Sequence, residues 1–235
     1  MSARDEILAR VRAATADVTT PVGARGPVPV IQAVASGTEA TLELFAENVA
    51  DYRATVLRVA PAEVGTALAG ALRDLGRSSV VVPEGFDPQW EQALAEVATI
   101  IPEAEATSSR VLDEVEAVVT ASAVGIATTG TIVLDHGPDQ GRRALTLIPD
   151  THVCVIRDDQ VVHDVHEAVV RLRGEAHQGR PLTWVSGPSA TSDIELQRVE
   201  GVHGPRTLVV VLVDHQLAGQ SEDTRAPQAE PADIP

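Results

Sequence analysis

Three short stretches of the sequence concentrate hydroxyl groups, glycines and charged side chains that could hold a small anion. The first extends from Gly125 to Gly141 and contains a Thr-Thr-Gly-Thr segment beside a predicted strand. Backbone N–H groups and hydroxyls that converge in this way can bind an anion. The same segment also fits a hairpin turn, and its chemistry alone slightly favours the turn. The ligand-binding residues predicted here are Gly125, Thr129, Gly130 and Thr131, with Arg142 or Arg143 as a charge-assisted clamp.

The second stretch extends from Ser186 to Glu195 and follows a predicted strand, Leu182 to Val185. Open α/β sheets bind ligands at the carboxyl ends of their strands, so this stretch is predicted to line a polar pocket. A plainer alternative is a helix N-terminus capped by Ser189 or Thr191. The ligand-binding residues predicted here are Ser186, Gly187, Ser189, Thr191 and Asp193, with Glu195 as a weak catalytic candidate.

The third stretch, Gly201 to Pro205, places His203 between flexible residues just before the last predicted strand. A histidine can act as a general base or orient a ligand near neutral pH, which makes His203 the other weak catalytic candidate. A histidine in a turn is more often a hydrogen-bonding loop residue. Because each stretch adjoins a strand end, we expect the three to converge on one face of the sheet.

Charge and cysteine content exclude several classes of function. The 235 residues carry a formal net charge of −16, which repels nucleic acids and anionic membranes, so a small anionic ligand must be held by local donors. Cys154 is the one cysteine, so this chain alone builds neither a disulfide nor an iron–sulfur cluster, and its apolar neighbours predict a buried, inert thiol. Without a signal-peptide pattern or a membrane-spanning apolar run, the expected location is the cytoplasm.

The spacing of His163 and His166, three residues apart with Asp164 and Glu167 on a predicted helix, is compatible with a metal site. The apolar positions Val165, Val169 and Leu172 indicate an ordinary amphipathic helix instead. The sequence therefore favours solvated histidines, and no metal is predicted.

The predicted fold is an α/β domain with a mostly parallel sheet flanked by helices. Its strands are continuous apolar runs, which are typical of strands buried on both faces: Val80 to Val82, Val118 to Val119, Ile132 to Leu134 and Leu208 to Val213. The predicted organisation is an N-terminal helix and linker over 1–37, the α/β domain over 38–217 and a disordered acidic tail over 218–235.

Three segments, GIATTGTIVLDHGPDQGR, SGPSATSDIE and GVHGPR, resemble in order and spacing the signature of the lactate utilization protein C (LutC/YkgG) family, a branch of the LUD domain. The resemblance covers the chain from about Leu44 to Asp214. It implies a fold similar to the NagB/RpiA/CoA-transferase group and to 5-formyltetrahydrofolate cyclo-ligase. The family commonly has an acidic residue where this chain has Thr128.

The resemblance also implies a role in the oxidation of L-lactate to pyruvate, as a subunit or accessory of a complex whose iron–sulfur clusters lie in partner proteins. In that case this chain contributes structure, substrate handling or docking and holds no cofactor itself. The alternative is a stand-alone enzyme of the CoA-transferase or cyclo-ligase type that binds a phosphorylated or CoA-like ligand. Glu195 would then be the candidate nucleophile.

Overall fold

The computed structural model describes residues 2–17, 37–174, 179–191, 199–200 and 204–218, without the side chains of 190, 191, 199 and 200. Within the N-terminal unit, residues 1–33, helix α1 (Ala3–Ala14) begins at a capping box. In this box Asp5 N donates to Ser2 Oγ at 3.3 Å and Ser2 N donates to Asp5 Oδ2 at 3.0 Å. The predicted linker, and the acidic tail from residue 219 onward, lie outside the described residues.

The second unit, residues 34–235, contains the other elements. Its described helices are α2 (Glu39–Asp51), α3 (Val64–Asp74), α4 (Pro88–Ala95), α5 (Ser109–Glu114), α6 (Val165–Leu172) and α7 (His215–Ala218). The described strands are β1 (Thr55–Val59), β2 (Ser79–Val82), β3 (Thr99–Pro102), β4 (Ala117–Thr120), β5 (Val124–Ile126), β6 (Thr131–Leu134), β7 (Thr151–Arg157), β8 (Val161–Val162), β9 (Thr183–Val185), β10 (Ala190–Thr191), β11 (Val199–Glu200) and β12 (Thr207–Val213).

Six strands form a parallel sheet in the order β1-β12-β7-β4-β2-β3, and helices flank it. The predicted α/β class is therefore confirmed. One face packs with α3 and α4 in a core that includes Val153 and Val211, and the other packs with α2 around Cys154 and Ile156. Burial on both faces explains why these strands are continuous apolar runs. Among the described helices, none is long and apolar enough to cross a bilayer.

A second sheet, in the order β8-β5-β6-β9, was not predicted from the sequence. The run Ile132 to Leu134, expected in the parallel sheet, is β6 and pairs antiparallel with β5 and β9. Ile132 packs toward the large sheet, whereas Val133 packs with Ala168 of α6. Because both faces of β6 are covered, its apolar pattern is the same as that of a buried parallel strand.

Candidate functional site

A cavity of about 330 Å³ lies between the segment that contains β9 and the first residues of β7 and β12. His152 and Leu208, each the second residue of its strand, line it from the large sheet. Ser186 and Ser189 line it from the loop after β9, and Arg143 lines it from the 3₁₀ turn before β7. The cavity therefore combines hydroxyls, an arginine and a histidine in a volume suited to a small molecule.

This cavity lies at the amino ends of the strands of the large sheet, whereas the sequence predicted a site at carboxyl ends. The loop that begins at Ser186 does follow a strand, but β9 belongs to the small antiparallel sheet, so its end lies over the start of β7 and β12. At the carboxyl ends of β1 and β12 lies an ion pair, whose residues line a separate pocket. There Arg58 Nε donates to the buried Asp214 Oδ2 at 2.7 Å, and Arg58 Nη1 donates to Glu39 Oε1 at 2.7 Å.

A chain of hydroxyls connects two of the predicted stretches. Thr129 Oγ1 donates to Thr131 Oγ1 at 2.8 Å, and Thr131 Oγ1 lies 2.8 Å from Ser186 Oγ. Ser186 lines the cavity, but the two threonines are not among the lining residues. The threonines therefore position Ser186 from behind the lining of the cavity.

The glycines of the first stretch have packing roles. A Cβ on Gly125 would lie 2.5 Å from Ile156 Cδ1, in the core between the two sheets. Gly130 has φ +56°, and a Cβ there would lie 2.6 Å from the backbone of Asn48 in α2. The segment is a tight connection between β5 and β6, which corresponds to the hairpin alternative. Thr128, where the family resemblance implies an acid, is exposed and donates its backbone N–H to His163 O at 3.0 Å.

Of the two adjacent arginines, the structure places Arg143 in the cavity and Arg142 outside it. The Arg142 backbone N–H donates to Glu103 Oε1 at 3.0 Å, and its guanidinium donates to the Ala106 carbonyl. Arg142 therefore joins the turn to the segment after β3. The predicted charge-assisted clamp remains available through Arg143.

His152 lines the cavity but was not predicted from the sequence as a site residue. It is only 2% exposed, and its Nε2 lies 2.8 Å from Thr120 Oγ1 of β4. Burial lowers the pKa of the imidazole to about 4, so the ring is neutral at pH 7. A neutral imidazole donates one hydrogen bond and accepts another, and it adds no charge to the cavity. The available signal was a histidine directly before the apolar run Val153 to Ile156.

Cys154, two residues along the same strand, is fully buried. Burial raises the pKa of its thiol to about 12, so the sulfur is protonated at neutral pH and is not a nucleophile. This agrees with the inert thiol that the sequence predicted.

Of the residues around α6 that were considered as metal ligands, those at its start form a helix cap. Asp164 Oδ1 accepts from Glu167 N at 2.9 Å, and Glu167 Oε2 accepts from His163 N at 3.0 Å, whereas His166 is exposed. Within the described part of the chain, no group of three or more histidine, cysteine or acidic side chains could hold a metal ion.

The other predicted site residues belong to the segment after Ser186 and to the turn before β12. Asp193, Glu195 and His203 lie outside the described residues. Thr191 lies in β10, and its side chain is likewise outside the described set. Gly187 lines the cavity with φ +84°, and a Cβ there would lie 2.5 Å from Tyr52 Cβ.

The lining of the cavity favours an anion. Among the described residues that line it, Arg143 supplies a positive charge, Thr183, Ser186 and Ser189 supply hydroxyls, and none is a carboxylate. Although the net charge of the chain is −16, the part of it that the structure describes places no acidic side chain in this lining. Arginine and hydroxyl donors together match the geometry of a carboxylate.

Comparison with known proteins identifies relatives over most of the chain. The family model described as LUD domain matches residues 30–213. A protein named lactate utilization protein C from Deinococcus radiodurans is 49% identical over 172 residues, which cover 73% of this chain and 79% of that protein. A protein of the same name from Bacillus pumilus is 30% identical over 176 residues, covering 68% and 73%.

A solved structure has a similar fold. The crystal structure of a DUF162 family protein from Deinococcus radiodurans superimposes with a TM-score of 0.62 at 41% sequence identity. The match covers 74% of this chain and 96% of that one.

Proposed function

The chain belongs to the lactate utilization protein C family of LUD domain proteins, and on this premise we propose that it takes part in lactate utilization. In this proposal it is a subunit or accessory of an iron–sulfur complex that oxidises L-lactate to pyruvate. Its own contribution is to bind the small 2-substituted monocarboxylate in the cavity beside His152.

The observation that carries the binding role is a cavity that contains an arginine and hydroxyls but no acidic side chain among its described lining residues. A bound carboxylate would accept hydrogen bonds from the Arg143 guanidinium and from the hydroxyls of Ser186 and Ser189. Charge-assisted hydrogen bonds of this kind are the stronger ones in proteins. A lactate or pyruvate molecule fits easily in about 330 Å³.

The residues of this chain do not fit an iron–sulfur cluster. Such clusters are held by several thiolates, and the sequence has one cysteine. Cys154 is fully buried, and its high thiol pKa keeps it protonated. In this proposal the clusters and the electron transfer therefore belong to partner subunits, and this chain handles the carboxylate.

Among the described residues, no contact favours the alternative of a stand-alone CoA-transferase-type enzyme. Glu195, the nucleophile it would need, lies outside the described residues. A CoA-like ligand is also far larger than lactate, so it would have to extend well beyond the cavity.

The two neighbouring arginines test the binding role. We expect Arg143→Gln to weaken the binding of L-lactate about tenfold, because a charge-assisted hydrogen bond contributes about 1.5 kcal/mol or more. Arg142→Gln is the matched control, and its affinity should stay within about twofold of the wild type because Arg142 lies outside the cavity. Isothermal titration of both variants with L-lactate, pyruvate and CoA measures these affinities.

Equal losses in both variants, or tight binding of CoA without binding of either monocarboxylate, would contradict the proposed role. Far-ultraviolet circular dichroism of each variant verifies that the fold is retained.

A further inference from the structure

Three polar side chains form a buried chain that begins at the floor of the cavity. His152 Nε2 lies 2.8 Å from Thr120 Oγ1, and the Thr120 hydroxyl donates to Cys154 Sγ at 3.8 Å. The thiol in turn donates to the Ala121 carbonyl at 3.7 Å. All three side chains are buried, and His152 alone among them lines the cavity.

The hydrogen-bond count favours one direction along this chain. If the Thr120 hydroxyl gave its proton to His152 Nε2, its hydrogen bond to Cys154 would be lost. If Nε2 carries the proton and donates to Thr120 Oγ1, the hydroxyl proton still reaches the sulfur. Buried polar groups keep as many hydrogen bonds as geometry allows, and aligned bonds reinforce one another. The Nε2-protonated form makes both contacts.

In that form the other ring nitrogen, Nδ1, carries a lone pair and no proton. No hydrogen bond joins Nδ1 to another described residue, so Nδ1 is the ring nitrogen that can accept a hydrogen bond from a ligand. The cavity then has a donor side, made by Arg143 and the serine hydroxyls, and an acceptor at His152.

We infer that Thr120 fixes His152 in its Nε2-protonated form, and that His152 Nδ1 thereby selects a monocarboxylate with a 2-hydroxyl group over one with a 2-oxo group. This inference rests on the proposed function and specifies the ligand class of the same cavity. The 2-hydroxyl of L-lactate donates to Nδ1 while its carboxylate is held by Arg143. The carbonyl oxygen of pyruvate is itself an acceptor and cannot donate to Nδ1. The two acceptor atoms would then face each other with no hydrogen bond between them. Thr120 is thus a positioning residue and His152 a specificity-determining one.

The protonation state of the ring is measured directly by nitrogen NMR of histidine-labelled protein. Long-range proton–nitrogen correlations distinguish the two neutral forms of imidazole, and the His152→Gln variant identifies the signal of His152. We expect the Nε2-protonated pattern at pH 7. An Nδ1-protonated pattern would overturn the inference.

The selectivity is measured by titrating the full-length protein with L-lactate and with pyruvate. We expect the wild type to bind L-lactate about tenfold more tightly, the effect of one neutral hydrogen bond replaced by an acceptor–acceptor contact. Thr120→Val removes the hydroxyl at nearly constant volume and should abolish this preference, whereas Thr120→Ser should retain it.

Thr151→Val provides the matched control for a buried threonine. Thr151 is fully buried beside His152 in β7, and its hydroxyl has no hydrogen-bond partner among the described residues. This variant should keep both the preference for L-lactate and the NMR pattern of the wild type.

The outcomes separate the two proposals. If the wild type binds L-lactate and pyruvate equally, or Thr120→Val keeps the preference, the inference fails while the proposed binding role stands. If the wild type binds neither acid, the proposed binding role fails and the inference falls with it.

Discussion

Gly130→Ala is expected to destabilise the protein by about 3–5 kcal/mol, a large fraction of the roughly 5–15 kcal/mol that stabilises a typical domain. Gly130 has φ +56°, a conformation that costs an L-residue about 1–2 kcal/mol. The new methyl group would also lie 2.6 Å from the carbonyl of Asn48, so α2 must move. This movement would strain the hydrogen bond from Asn48 Nδ2 to the Ala127 carbonyl, 2.8 Å long. Urea denaturation measures the loss.

Gly76→Ala separates the two causes. Gly76 has φ +65°, but a Cβ there would have no atom within 4 Å. We expect it to cost only the conformational part, about 1–2 kcal/mol. Similar losses in the two variants would show that the close approach of the β5–β6 turn to α2 is not what requires glycine at Gly130.

His152→Gln is expected to reduce the loss of stability at mildly acidic pH. Burial lowers the folded-state pKa of His152 from 6.5 to about 4. Between these values the unfolded chain binds a proton that the folded protein excludes, so the free energy of unfolding decreases as pH falls from 6.5 to 4. Over this range the free energy of unfolding decreases by about 3 kcal/mol in total because of His152, and above pH 6.5 there is no such decrease. Urea denaturation at a series of pH values from 7.5 to 4.5 measures the slope.

His166→Gln is the control, because His166 is exposed on α6 and the chemical change is the same. It should keep the acid slope of the wild type. If His152→Gln has that same slope, the imidazole of His152 is not held neutral by burial.

The main strands could be predicted because their residues are apolar on both faces of the strand. Val80 to Val82 and Leu208 to Val213 are too apolar to face water on either side, so they predict a sheet covered by helices. The same argument cannot distinguish β6 from these strands. Ile132 to Leu134 is equally apolar because α6 covers the face that the large sheet does not, and only the tertiary arrangement shows this.

The candidate site could be predicted only in part. The stretch from Ser186 to Ser189 was identified by its hydroxyls and its glycine, and these residues do line the cavity. Which of Arg142 and Arg143 faces it depends on where the 3₁₀ turn begins, and neighbouring residues of the same type carry no signal of that. His152 was not identified because a histidine beside an apolar run is more often a hydrogen-bonded core residue. Its place at the cavity floor depends on strands distant in sequence.

The most direct test of the binding role is a crystal structure of the protein soaked with L-lactate well above its measured Kd. We expect one lactate in the cavity, with its carboxylate within hydrogen-bond distance of the Arg143 guanidinium and a hydroxyl of Ser186 or Ser189. Its 2-hydroxyl should lie within that distance of His152 Nδ1. Lactate bound elsewhere in the protein, with this cavity filled only by water, would contradict the proposed binding role of the cavity.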